Sequence, residues 1–69
     1  MNPPNYRITG IHWANQNGER SVVMRRNGTF AFYLELEHAK RGLTGFRGNN
    51  RDYADLQIEY NTGDWRVQP

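Results

Sequence analysis

The chain of 69 residues contains no cysteine, and it has only one lysine and one serine. The absence of cysteine excludes disulfide frameworks, thiolate metal sites and cysteine-based catalysis. No apolar run approaches the roughly 20 residues that a membrane-spanning helix needs, and no signal-peptide pattern precedes the first strand-like segment. We therefore expect a soluble, cytoplasmic protein without membrane association.

Large aliphatic residues are also scarce. Leu, Ile, Val and Phe together number 13 of 69 residues, close to the roughly 20% below which disorder becomes a concern. A net charge of only +2 and nine aromatic residues argue for folding. The sequence predicts a loose tail at residues 1–5, where Pro3-Pro4 disfavours regular structure, and one small β-rich domain at 6–69.

Alternating apolar residues and turn motifs predict antiparallel strands. Asn27-Gly28 is a strong hairpin signal, and Asn17-Gly18 suits another turn. The fold class that follows is mainly antiparallel β, with four or five strands in a small barrel or curled sheet. The predicted strands are Tyr6–Trp13, Ser21–Arg26, Thr29–Leu36, Tyr53–Tyr60 and Trp65–Val67.

The segment after Asn27-Gly28 carries both strand and helix signals. Phe30, Phe32, Leu34 and Leu36 alternate with polar or small residues, which predicts a strand with these four side chains buried. The helix-forming composition that follows predicts a short helix near 35–42, with Gly42 as its stop. A longer helix would instead give an α+β fold with the order β-β-α-β-β.

Residues 39–51 contain four cations, three glycines and no acid, and we interpret Gly42–Asp52 as a loop. Glycines let phosphates approach the backbone, cations attract them, and an exposed Phe46 would stack on a base. The leading hypothesis is a nucleic-acid-binding accessory or regulatory module. Its predicted binding residues are Lys40, Arg41, Arg47, Arg51, Arg25, Arg26 and Phe46.

A small protein-interaction module is the alternative hypothesis, as an inhibitor, an adaptor or a homodimer. Aromatic residues and arginine are enriched at interface anchors. Tyr33 is predicted to lie on the exposed face of its strand, and Trp13 near a strand end; both are interface candidates. Acids that interleave with the arginines in space would favour this alternative over a phosphate-binding face.

Catalysis is not expected. His12 and His38 are far apart in the sequence, Ser21 begins a strand, and no ligand spacing indicates a metal site or a cofactor. A domain this small also has little room for a water-excluding pocket. The sequence therefore predicts a binding protein.

Overall fold

The computed structural model describes residues 5–49 and 52–68 and shows an antiparallel sheet with one helix. The sheet curls into a half-barrel, which confirms the predicted fold class. The elements in chain order are β1 Tyr6–His12, β2 Arg20–Val22, β3 Phe32–Tyr33, α1 Leu36–Asn49, β4 Tyr53–Asn61 and β5 Trp65–Val67.

Strand β1 lies at the centre of the sheet, which has the order β2-β1-β4-β5 with β3 also paired to β1. Strands β2 and β3 both hydrogen-bond to the same edge of β1. A hairpin at residues 24–30 separates them along the chain. Ile8 marks the interruption: its N–H donates to the Ala31 carbonyl at 3.0 Å, and its carbonyl accepts from Val23 at 2.9 Å. Gly28 has φ +87° and turns the hairpin, as Asn27-Gly28 predicted.

Helix α1 packs on one face of the sheet and contacts β1, β3 and β4. Leu36, Ala39, Leu43 and Phe46 face the sheet, at the spacing of one helical side. They cover a small core formed by Ile8, Val23, Ala31, Ala39 and Ile58. Glu37 in the first turn and Arg47 in the last turn match the helix dipole.

The structure corrects two sequence predictions. Residues 39–49 are helix, so the predicted arginine-rich loop is wrong over this range, and the predicted stop at Gly42 lies in mid-helix. The predicted strand Thr29–Leu36 is shorter, and its burial is inverted: Ala31 is buried, whereas Phe30, Phe32 and Leu34 are exposed. The cause is the register with β1, which places Ala31 against Ile8 and the core.

Strand β4 contains a bulge that Arg20 braces. Between Thr9 and Ile11 the register with β4 shifts, and Asp55 there has φ +56°. The Arg20 guanidinium donates to the Asp55 carbonyl at 2.6 Å and to the carbonyl and hydroxyl oxygens of Thr9, both at 3.3 Å. It also pairs with the Asp55 carboxylate. One arginine therefore connects β2, β1 and the bulge.

Replacing Arg20 by alanine should lower the free energy of unfolding by about 1–3 kcal/mol, because buried Thr9 and the bulge carbonyl lose their donor. Urea unfolding followed by tryptophan fluorescence measures the change. Arg26→Ala is the matched control, since Arg26 is exposed on the hairpin and should shift stability by no more than about 0.5 kcal/mol. Equal effects of the two changes would contradict this role for Arg20.

Candidate protein-interaction face

The sheet face opposite α1 carries a row of side chains from four strands. Phe32 of β3 is paired with Arg7 of β1, Arg7 with Glu59 of β4, and Glu59 with Val67 of β5. Paired residues in a sheet point to the same side, and Trp65 lies on that side two residues before Val67. We call Arg7, Phe32, Glu59, Trp65 and Val67 the open face, because no described element covers it.

An ion pair under an aromatic ring organises the open face. Arg7 Nε donates to Glu59 Oε1 at 2.6 Å, and the Arg7 guanidinium carbon lies 4.3 Å from the centre of the Trp65 ring. The Phe32 and Trp65 rings are 6.1 Å apart. Glu59 is 8% exposed, although no described helix or strand covers this face. Arg7 thus contacts both Glu59 and Trp65 and connects β1 to β4 and β5 on this face.

Large apolar side chains are exposed to an unusual extent in this protein, and two of them, Phe32 and Val67, belong to the open face. In the described residues the large exposed apolar side chains number six, whereas the buried apolar residues number five and two of these are alanines. Phe32 is 37% exposed and Val67 52%. The hairpin adds Met24 and Phe30, which form a cross-strand bridge. Exposed Phe32 and Val67 lie on the same face as half-buried Trp65, and apolar groups that share a face mark an interaction surface more often than scattered ones do.

The two predicted interface residues occupy different environments. Trp13 is exposed, and its ring stacks against that of His12 at 5.5 Å. Tyr33 is half-buried against the core on the α1 side, with the Arg25 guanidinium 4.7 Å from its ring centre. The prediction that Tyr33 points away from the core is wrong, because the face of β3 is inverted.

The described residues among those predicted to bind nucleic acid lie in different environments. Lys40, Arg41 and Arg47 are exposed on α1, and Arg26 is exposed on the hairpin. Phe46 packs against the core. Arg25 is bonded within the chain, donating to the Phe32 carbonyl at 3.0 Å. Arg51 lies outside the described residues.

Acidic residues lie close to the exposed cations. Glu37 precedes Arg41 by four positions on α1 and is exposed on the same side. A shallow depression of about 370 Å³ is lined by Arg47, Tyr53, Asp55 and Leu56, which brings a cation and an acid onto one surface. Within residues 5–49 and 52–68, no group of three acidic or histidine side chains is placed to hold a metal ion.

Comparisons with known proteins add no further guide: no family model, curated protein or solved structure matches this chain. No helix in the described part of the chain is long and apolar enough to cross a membrane.

Sequence reasoning did not find Phe32, Trp65 and Val67 as surface residues. Phe32 was expected in the core because it alternates with smaller and polar neighbours. The available signal was Ala31: a small residue beside three large apolar ones fits a position where a strand packs closely on its neighbours. Trp65 and Val67 are two positions apart in a short strand, which predicts a shared face but not which face.

Proposed function

We propose that this protein is a small non-enzymatic protein-interaction module that binds through the open face. The observation that carries the proposal is the set Phe32, Trp65 and Val67 around the Arg7–Glu59 pair, with no described element above it. Tryptophan and arginine, which contact each other on this face, are both residue types enriched at interface anchors. The contacts of Arg7 with Glu59 and Trp65 restrict these side chains before binding, which reduces the side-chain entropy lost on binding.

Site-specific photo-crosslinking in the cells that produce the protein tests the proposal. A photoreactive phenylalanine derivative replaces Phe32, which keeps an aromatic ring at the position. The same derivative at exposed Thr44 on α1 is the matched control. We expect a discrete protein adduct at position 32, none of the same mass at position 44, and at least tenfold loss of the adduct when Val67→Asp is added.

The adduct identifies its own partner by mass spectrometry. An adduct at twice the chain mass would make the partner a second copy, as in the homodimer alternative. Absence of any adduct at position 32, or an adduct that Val67→Asp leaves unchanged, would overturn the assignment to the open face. A circular dichroism melt of each variant confirms that it remains folded.

Nucleic-acid binding is the second candidate, and a specific observation favours it: Lys40, Arg41 and Arg47 are exposed on one helix and make no ion pair with described residues. Cations on α1 would contact phosphates without reading base sequence. The nearby acids Glu37 and Asp55 weaken the local positive field, so this function ranks below the first.

The predicted cytoplasmic location stays a prediction.

Fluorescence anisotropy with labelled single-stranded and duplex oligonucleotides decides the second candidate. Binding through three phosphate contacts should weaken by about tenfold or more between 50 and 200 mM salt. The variant with Lys40, Arg41 and Arg47 all changed to glutamine should lose binding, whereas Glu37→Gln should strengthen it. No binding at the lower salt concentration would eliminate this candidate.

A further inference from the structure

Strand β5 forms one edge of the sheet, and its outward backbone groups can be assigned. The Gln68 N–H donates to the Ile58 carbonyl at 2.7 Å, and the Thr62 N–H donates to the Asp64 carbonyl at 3.0 Å. Hydrogen-bonded pairs alternate with non-bonded pairs in an antiparallel ladder. The pairs Glu59–Val67 and Asn61–Trp65 are therefore non-bonded. The N–H and C=O groups of Trp65 and Val67 consequently point away from β4.

No described backbone segment occupies this edge, because β4 is the only described strand that pairs with β5. The edge offers two donors and two acceptors at the spacing of an extended chain. The same two residues place their side chains on the open face, next to Phe32. An added strand would therefore gain backbone hydrogen bonds and apolar contacts together, which is the pattern of β-augmentation.

Arg66 determines which strand fits. It is exposed, it is paired with Tyr60, and it makes no ion pair with described residues. A second copy that used both Trp65 and Val67 would pair antiparallel about Arg66 and would place two arginines opposite each other. Like charges directly opposite destabilise a strand pair. The cation thus disfavours self-pairing and favours an acidic residue at that position.

We infer that the β5 edge binds an extended protein segment in which an acidic residue, opposite Arg66, lies between two apolar residues opposite Trp65 and Val67. This inference rests on the proposed function and names its partner chemistry. The acidic side chain would lie on the α1 side of the sheet, and the two apolar side chains would extend the open face. Binding would add one strand without changing the existing register.

An NMR titration with three synthetic peptides tests the inference. The first peptide has a Val-Glu-Val core flanked by threonines, the second has Val-Lys-Val, and the third has N-methylated backbone nitrogens in the Val-Glu-Val core. With the ¹⁵N-labelled protein, we expect the first peptide to shift the amides of Trp65 and Val67 most. It should bind at least tenfold more tightly than the other two.

A charge exchange supplies the control for specificity. Arg66→Glu should reverse the preference between the Glu and Lys peptides, whereas Arg26→Glu, on the exposed hairpin, should leave it unchanged. Largest shifts outside β5, or a preference that Arg66→Glu does not reverse, would overturn the inference. If the peptides fail while the position-32 adduct persists, the edge assignment is wrong and the open-face function stands. Peptide binding without an adduct would contradict the function alone.

Discussion

Replacing Gly42 by alanine is expected to destabilise the protein relative to the same change at Gly45, although both glycines lie in α1. A β-carbon at Gly42 would lie 2.8 Å from Tyr33 Cζ and 3.2 Å from Ile8 Cδ1, and it would overlap the Tyr33 hydroxyl. At Gly45 an added β-carbon meets nothing within 4 Å. The comparison therefore separates close packing from helix propensity.

The expected sizes follow from two opposing effects. Alanine gains about 1 kcal/mol over glycine inside a helix, and overpacking of a tight contact costs about 1–3 kcal/mol. Gly45→Ala should raise the free energy of unfolding by about 1 kcal/mol. Gly42→Ala should be about 1–3 kcal/mol less stable than Gly45→Ala. Urea denaturation of the two variants gives this difference directly.

Tyr33→Phe tests whether overlap with the Tyr33 hydroxyl causes the loss of stability in Gly42→Ala. It removes the hydroxyl that a β-carbon at Gly42 would overlap, so it should recover part of the stability lost in Gly42→Ala. Added to Gly45→Ala, it should recover none. If Gly42→Ala stabilises the protein as much as Gly45→Ala does, α1 does not lie as close to β3 as described.

Breaking the Arg7–Glu59 pair is the second change with a large expected effect on stability. We expect the loss of Arg7 to cost more than the loss of the Glu59 charge. Arg7→Ala leaves the carboxylate of Glu59, which is 8% exposed, without its partner and removes the support under the Trp65 ring. The Arg7 side chain is 25% exposed. The decrease in the free energy of unfolding should therefore lie between the values typical of a surface ion pair and of a buried one, at about 1–3 kcal/mol. Glu59→Gln should cost less, because the amide oxygen still accepts from Arg7 Nε and the guanidinium reaches solvent.

A double variant measures how much of each loss of stability comes from the interaction between Arg7 and Glu59. Arg7→Leu combined with Glu59→Leu removes both charges and should be near neutral or stabilising, because breaking one partner of a desolvated pair costs more than replacing both. Chemical denaturation of Arg7→Leu, Glu59→Leu and the double variant completes the cycle. Losses that simply add would show that the two side chains do not interact, which would contradict the described arrangement of the open face.

The sequence predicted β1, β4 and β5 closely because their signals are local, whereas β2 and β3 are shorter than predicted. Asn27-Gly28 turns a hairpin as expected, and the alternation in Tyr53–Tyr60 corresponds to β4. Trp65–Val67 was predicted with the bounds of β5. The fold class followed from these elements without knowledge of any long-range contact.

The helix and the site were harder to predict because they depend on tertiary contacts. Glycines at 42, 45 and 48 favour a loop by propensity, yet packing of Leu43 and Phe46 on the sheet keeps them helical. The side to which Phe32 points depends on its pairing with Arg7, and a shift of one residue exchanges the two faces. Period-two alternation alone cannot determine which face α1 covers.

The central claim is that the open face is uncovered in the free protein, and solvent paramagnetic relaxation in NMR tests it most directly. A soluble gadolinium chelate added to a dilute sample should broaden the side-chain signals of Phe32 and Val67 as strongly as those of exposed Thr44. Signals of buried Ile8 and Ala39 should be unaffected. Protection of Phe32 and Val67 to the level of Ile8 would show that the face is covered, and it would contradict the account.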